Sequence, residues 1–116
     1  MIQLNEYLIN KKTRDTRQEI FNLVKQLYKK GYKEIDYQTL DIDSIFGVYD
    51  TTVDPDDQDI NEFKYFIYDP EDYTVHIGAS NDYDGDFELD ISNVEFTSPE
   101  DDDITNTIIK ALEKLC

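Results

Sequence analysis

Residues 62–78 read EFKYFIYDPEDYTVHIG. Two runs rich in aromatic and β-branched side chains flank Asp69-Pro70-Glu71-Asp72, where proline's fixed φ suits a turn. The pattern predicts an antiparallel hairpin with strands over residues 62–68 and 73–78. Simple alternation places Phe63, Tyr65 and Ile67 on one face with Tyr73, Val75 and Ile77 if the register permits. Phe66 and Tyr68 then point to the opposite face. His76, between Val75 and Ile77, is expected to be half exposed.

Downstream the alternation becomes stricter. Asp82, Asp84, Asp86, Glu88 and Asp90 occupy every second position, and Tyr83, Phe87, Leu89 and Ile91 fall between them, with Gly85 the exception. This predicts a half-buried strand over residues 83–91 whose solvent face is a ladder of carboxylates about 6.7 Å apart. Residues 94–96 extend the sheet after an irregularity near Ser92 and Asn93. Upstream, a strand around residues 44–49 is blurred by Gly47, and DPDDQDIN (residues 54–61) reads as a loop because Pro55 breaks the pattern and its four aspartates repel one another.

A helix is expected at each end of this β region. Over residues 17–30, Thr16 and Glu19 form a capping box, Ile20, Leu23, Val24, Leu27 and Tyr28 make the apolar stripe, and Gly31 supplies a left-handed stop. The second helix follows Ser98 and Pro99. Its stripe is Ile104, Ile108, Ile109, Leu112 and Leu115, with acidic residues at its start and Lys110 and Lys114 toward its end. The order predicts a two-layer α+β domain: a three- or four-stranded, mainly antiparallel sheet flanked by an N-terminal and a C-terminal helix. At 116 residues the chain is expected to form one domain. Residues 1–12 (MIQLNEYLINKK) resemble the opening of many small gut-bacterial and phage proteins, which implies an origin and no chemistry; Leu4, Tyr7 and Leu8 share a helical face there.

The formal charge is −16 and it is unevenly placed. Residues 1–33 carry a net +5, the remainder −21. Direct binding to nucleic acid or an anionic membrane is disfavoured, and a cationic partner is favoured. The same charge also serves solubility. Fifteen aromatic residues, nine Tyr and six Phe, argue for a folded chain rather than an acidic disordered one. The lone Cys116 excludes an intrachain disulfide, Glu6 and Asn10 interrupt any apolar leader, and the expectation is a cytoplasmic protein.

Five acids in alternation need a reason, because Asp has poor strand propensity and like charges side by side repel. Charge on an edge strand blocks strand addition by other chains. A hydrophilic loop preceding a shorter strand over residues 87–91 gives the same pattern. The functional reading starts from spacing: a nucleic-acid strand rises ~3.4 Å per phosphate, and winding sets neighbouring phosphates roughly 7 Å apart. On that reading Asp82, Tyr83, Asp84, Asp86, Glu88 and Asp90 form a partner-binding surface for an Arg/Lys-lined groove.

Other chemistry finds less support. An EF-hand with glycine at its sixth position would run from Ser80 to Ile91, neither an adequate terminal ligand. The cluster Asp54, Asp56, Asp57 and Asp59 lacks the glycine. His76 is the sole histidine, no nucleophile–base spacing stands out, and the four glycines form no phosphate-binding loop. No catalytic residue, metal or cofactor is therefore assigned. The expected function is that of a small acidic inhibitor or binding protein docking on a basic, nucleic-acid-binding protein: a phage nucleic-acid mimic of the anti-restriction or anti-CRISPR type, or a nuclease immunity protein. The alternative is a structural or assembly protein, such as a small virion component. Lys11, Lys12, Arg14 and Arg17 also allow salt-sensitive self-association.

Overall fold

The computed structural model describes residues 16–44, 47–81, 85–97 and 102–116. Helix α1 spans Thr16–Lys29 and helix α2 Asp102–Leu115. Between them lie six strands: β1 (Glu34–Asp36), β2 (Gly47–Asp50), β3 (Asn61–Asp69), β4 (Thr74–Asn81), β5 (Gly85–Asp90) and β6 (Val94–Thr97). All strand pairs are antiparallel. The order is β5-β4-β3-β2-β6, and β1 pairs with the far half of β3. No helix among the described residues is long and apolar enough to cross a membrane.

The class is α+β with terminal helices, as the pattern predicts, but the sheet has six strands rather than three or four. The surplus comes from short segments. β1 is only three residues, too few to show a period, and β2 carries the glycine that blurs its pattern. Their partners are distant in sequence: Ile35 lies opposite Phe66, and Val48 opposite both Asn61 and Phe96.

Helix α1 ends as its sequence dictates. Gly31 adopts φ +111°, the Gly31 N–H donates to Tyr28 O and the Tyr32 N–H to Leu27 O, both at 3.0 Å. That pair of bonds is a Schellman motif, which satisfies carbonyls left over at the helix end. Lys30 Nζ donates to the carbonyls of Leu115 and Cys116 at 3.2 and 3.1 Å, so the C-terminal ends of α1 and α2 meet. A cation there also suits both helix dipoles.

Both helices cover one face of the sheet. Ile20, Val24 and Leu27 of α1 and Ile108, Ala111 and Leu112 of α2 are buried against Ile35, Val48, Phe63, Phe66, Val75, Ile77 and Val94. The residues chosen by helical periodicity are those that pack, Leu23, Tyr28, Ile104, Ile109 and Leu115 at the margin. An aromatic group ties α1 to the hairpin: Tyr68 meets Tyr28 at 5.1 Å and Phe21 at 5.9 Å between ring centroids. Tyr73 joins it from the turn rather than from the strand. It sits at φ 57°, 5.3 Å from Phe21, where its hydroxyl accepts a hydrogen bond from Lys25 and its ring face lies 4.4 Å from that ammonium.

The expectation that Phe63, Tyr65 and Ile67 share one face is corrected by a β-bulge. Pairing shifts between Phe63 and Tyr65, leaving Lys64 as the extra residue. Phe63 and Phe66 therefore both face the helices, their rings 4.7 Å apart and fully buried, with Tyr68 beside them. Tyr65 and Ile67 turn to the other face. A single extra residue reverses a strand's faces from that point on.

The acidic loop is better organised than mutual repulsion predicts. Asp54 caps a 3-10 turn at Pro55–Asp57 by accepting from the Asp56 N–H at 3.0 Å. Gln58 clips the loop to β2, donating to Asp50 O at 2.6 Å and accepting from the Asp50 N–H at 3.2 Å. Among the described residues no group of three acidic, His or Cys side chains gathers at metal-binding spacing.

Candidate acidic interface

The face of the sheet turned away from the helices carries the candidate site. Alternation along β5 puts Phe87 and Leu89 opposite Ala79 and Ile77 on the core side. Glu88 and Asp90 consequently fall on the outer side, paired with Gly78 and His76. Of the predicted partner-binding residues, Asp82, Tyr83 and Asp84 lie outside the described residues. Asp86 is described by its backbone alone, opposite Ser80. Glu88 is exposed and Asp90 half-buried.

The strand over residues 83–91 is corrected at its end. β5 stops at Asp90, and Ile91–Asn93 form a 3-10 turn. Asp90 accepts from the Ser92 N–H at 3.0 Å and so caps that turn. Part of its carboxylate is thus structural. Glu88 is engaged differently: the Tyr65 hydroxyl donates to its Oε1 at 3.2 Å. The Tyr65 ring crosses β4 to get there, and Gly78 lets it pass, since a Cβ at that position would overlap the ring. An aromatic ring laid over a strand glycine covers backbone that the glycine leaves bare.

Register extends the acidic face beyond the predicted ladder. One row across the sheet is Asp36, Tyr65, Gly78 and Glu88; the next is Glu34, Ile67, His76 and Asp90. A third row is Thr97, Gly47, Glu62, Ser80 and Asp86. Each of the first two rows has an acid at both ends and no acid between. Glu34 and Asp36 were invisible as site residues because nothing local links them to β5; only the pairing of β1 with β3 brings them alongside.

The carboxylates differ in what holds them. The Thr39 backbone N–H and hydroxyl donate to Asp36 Oδ1 at 2.7 and 2.8 Å and hold its carboxyl below the usual carboxylate range. Asp69 closes the hairpin turn by accepting from the Glu71 N–H at 2.9 Å. His76 is half exposed, as its position predicts, with Nε2 3.3 Å from Thr74 Oγ1 and 4.0 Å from Asp69. At the sheet margin Arg17 donates to Ser92 O at 2.6 Å and lies 3.6 Å from Glu95.

Chemically this surface offers anionic acceptors together with phenol and imidazole groups. Compared with known protein families, characterised proteins and solved structures, the chain matches none.

Proposed function

We propose that this protein is a small acidic binding or inhibitor protein that docks its carboxylate-rich outer sheet face on a basic protein, in the manner of a nucleic-acid mimic or a nuclease immunity protein. The supporting observation is the register of β5, which sets Glu88 and Asp90 on the face opposite both helices. Carboxylates in that position meet a partner without disturbing the core. A basic groove that ordinarily holds phosphates would lose its counterions to this face, so binding is fast and weakens steeply with salt.

The test is a tagged pull-down from host lysate at low and high salt, with charge reversal of Asp84, Asp86 and Glu88 to Lys. A basic nucleic-acid enzyme, captured at low salt by the parent chain and lost by the variant, supports the proposal. Normal capture by the triple variant removes the ladder from the interface.

A second reading is favoured by the position of β5 at the edge of the sheet. Acids there guard against strand addition in a structural or assembly protein. It predicts recovery of the chain itself or of one large assembly partner, with little dependence on the ladder.

A further inference from the structure

We propose that the cleft between the start of helix α1 and the turn after β5 binds one free α-amino acid with an aromatic side chain, held as its zwitterion. This goes beyond the acidic-interface reading and does not depend on it. The cleft encloses about 210 Å³, and its lining includes Arg17, Phe21, Tyr73, Asp90, Ile91 and Ser92. Drug-sized ligands occupy ~300–1,000 Å³, whereas a cavity of ~150 Å³ already admits benzene. The space therefore suits one ring with a few further atoms rather than a peptide.

The lining brings opposite charges together, and both are anchored on Ser92. Arg17 Nη1 donates to Ser92 O at 2.6 Å, and Asp90 Oδ1 accepts from the Ser92 N–H at 3.0 Å. By backbone dimensions these two charged atoms are no more than about 10 Å apart. An ammonium and a carboxylate on one α-carbon, with a charge-assisted hydrogen bond of ~2.8 Å at each end, span ~6–9 Å. Ser92 exhausts neither group. A guanidinium has five donors, so Arg17 keeps some for a carboxylate even with Glu95 at 3.6 Å. The bond from Ser92 uses one oxygen of Asp90 and leaves the other for an ammonium.

The rest of the wall suits a ring. Phe21 and Tyr73 stand 5.3 Å apart at 53°, and Ile91 completes the apolar part. Tyr73 gives an independent sign of a ligand. It is 58% exposed, and its φ of 57° is costly for a bulky side chain. Lys25, from outside the cleft, holds its hydroxyl in place. Backbone strain of this kind concentrates at ligand clamps, and here it fixes an exposed ring on the rim of a cleft.

The experiment is isothermal titration calorimetry of the whole chain at neutral pH and physiological salt, which screens the general acidity. The probes are L-phenylalanine, 3-phenylpropionate, which lacks the ammonium, and phenethylamine, which lacks the carboxylate. L-phenylalanine is expected to bind at millimolar concentration or below, and each analogue about ten-fold more weakly. Two variants locate the site. Asp90→Asn removes the charge but keeps the cap on Ser92, because Asn caps as well as Asp. Tyr73→Asn removes the ring and suits the positive φ. Each should weaken L-phenylalanine about ten-fold with the fold retained by circular dichroism, and Asp90→Asn should leave 3-phenylpropionate unaffected. No binding of L-phenylalanine overturns the site. Equal binding of the three probes overturns recognition of the zwitterion, and undiminished binding by both variants overturns the location.

Discussion

The two faces of β3 lie in opposite surroundings. On the helix side, Phe63, Phe66 and Tyr68 are buried in a dry aromatic and aliphatic layer. On the outer side, Glu62, Tyr65 and Ile67 are half-buried among carboxylates from β1 and β5. Both faces come from the same nine residues, NEFKYFIYD. Their difference teaches that hydrophobicity alone does not choose the core here. Tyr65 and Ile67 are as apolar as Tyr68, and the bulge at Lys64 sends them outward.

The sharpest way to break the comparison is to truncate neighbours on opposite faces. Phe66→Ala should cost about 3–5 kcal/mol, because it opens a cavity between fully packed rings. Ile67→Ala, one residue on, should cost less than about 1.5 kcal/mol, since its side chain is partly solvated. Urea unfolding of both variants checks this, and similar costs would mean that the assigned faces are wrong.

Gly78→Ala probes the outer face from its floor. The added methyl displaces the Tyr65 ring and removes its bond to Glu88, for an expected loss of about 1–3 kcal/mol. In the Tyr65→Ala background the same substitution should cost much less, and a double-mutant cycle measures the difference.

Charge gives a milder contrast. Self-repulsion among acids on the outer face and loops is screened by salt, whereas apolar packing is not weakened by it. The melting temperature should therefore rise as sodium chloride goes from low to physiological concentration. The increase should be smaller in a Glu34→Gln, Glu88→Gln variant.

The smallest effect concerns Asp36. Its carboxyl is held below the ordinary value of 3.8 by the Thr39 N–H and hydroxyl. A depressed folded-state pKa means that this group stabilises the fold fully above the unfolded value. That contribution is lost as pH falls through the lower folded value. Asp36→Asn should thus differ most from the parent at neutral pH and converge with it in acid, read from denaturant midpoints across that range. Lys25 has the opposite sign: its hydrogen bond to Tyr73 raises its pKa, so its contribution is complete below 10.5 and fades as pH rises through the raised value.

How much of this was legible beforehand follows from the range of each interaction. The stripe of α1, its Gly31 stop and the proline turn after Asp69 are local devices, complete within a few residues, and each stands where the pattern places it. The alternation of residues 87–90 likewise predicts correctly that Leu89 is buried and Glu88 exposed. Asp82, Tyr83 and Asp84 remain expectations outside the described residues.

The sequence by itself therefore determined the helix–strands–helix order, the antiparallel hairpin and the concentration of negative charge after residue 33, all set by neighbours in the chain. Three properties depended on tertiary structure. They are the six-strand sheet, the outward turn of Tyr65 and Ile67, and the second file of acids at Glu34 and Asp36. The extra strands and the second file of acids arise from pairing between strands distant in sequence, and within the β3–β4 hairpin a one-residue bulge reverses faces while hardly altering the local pattern.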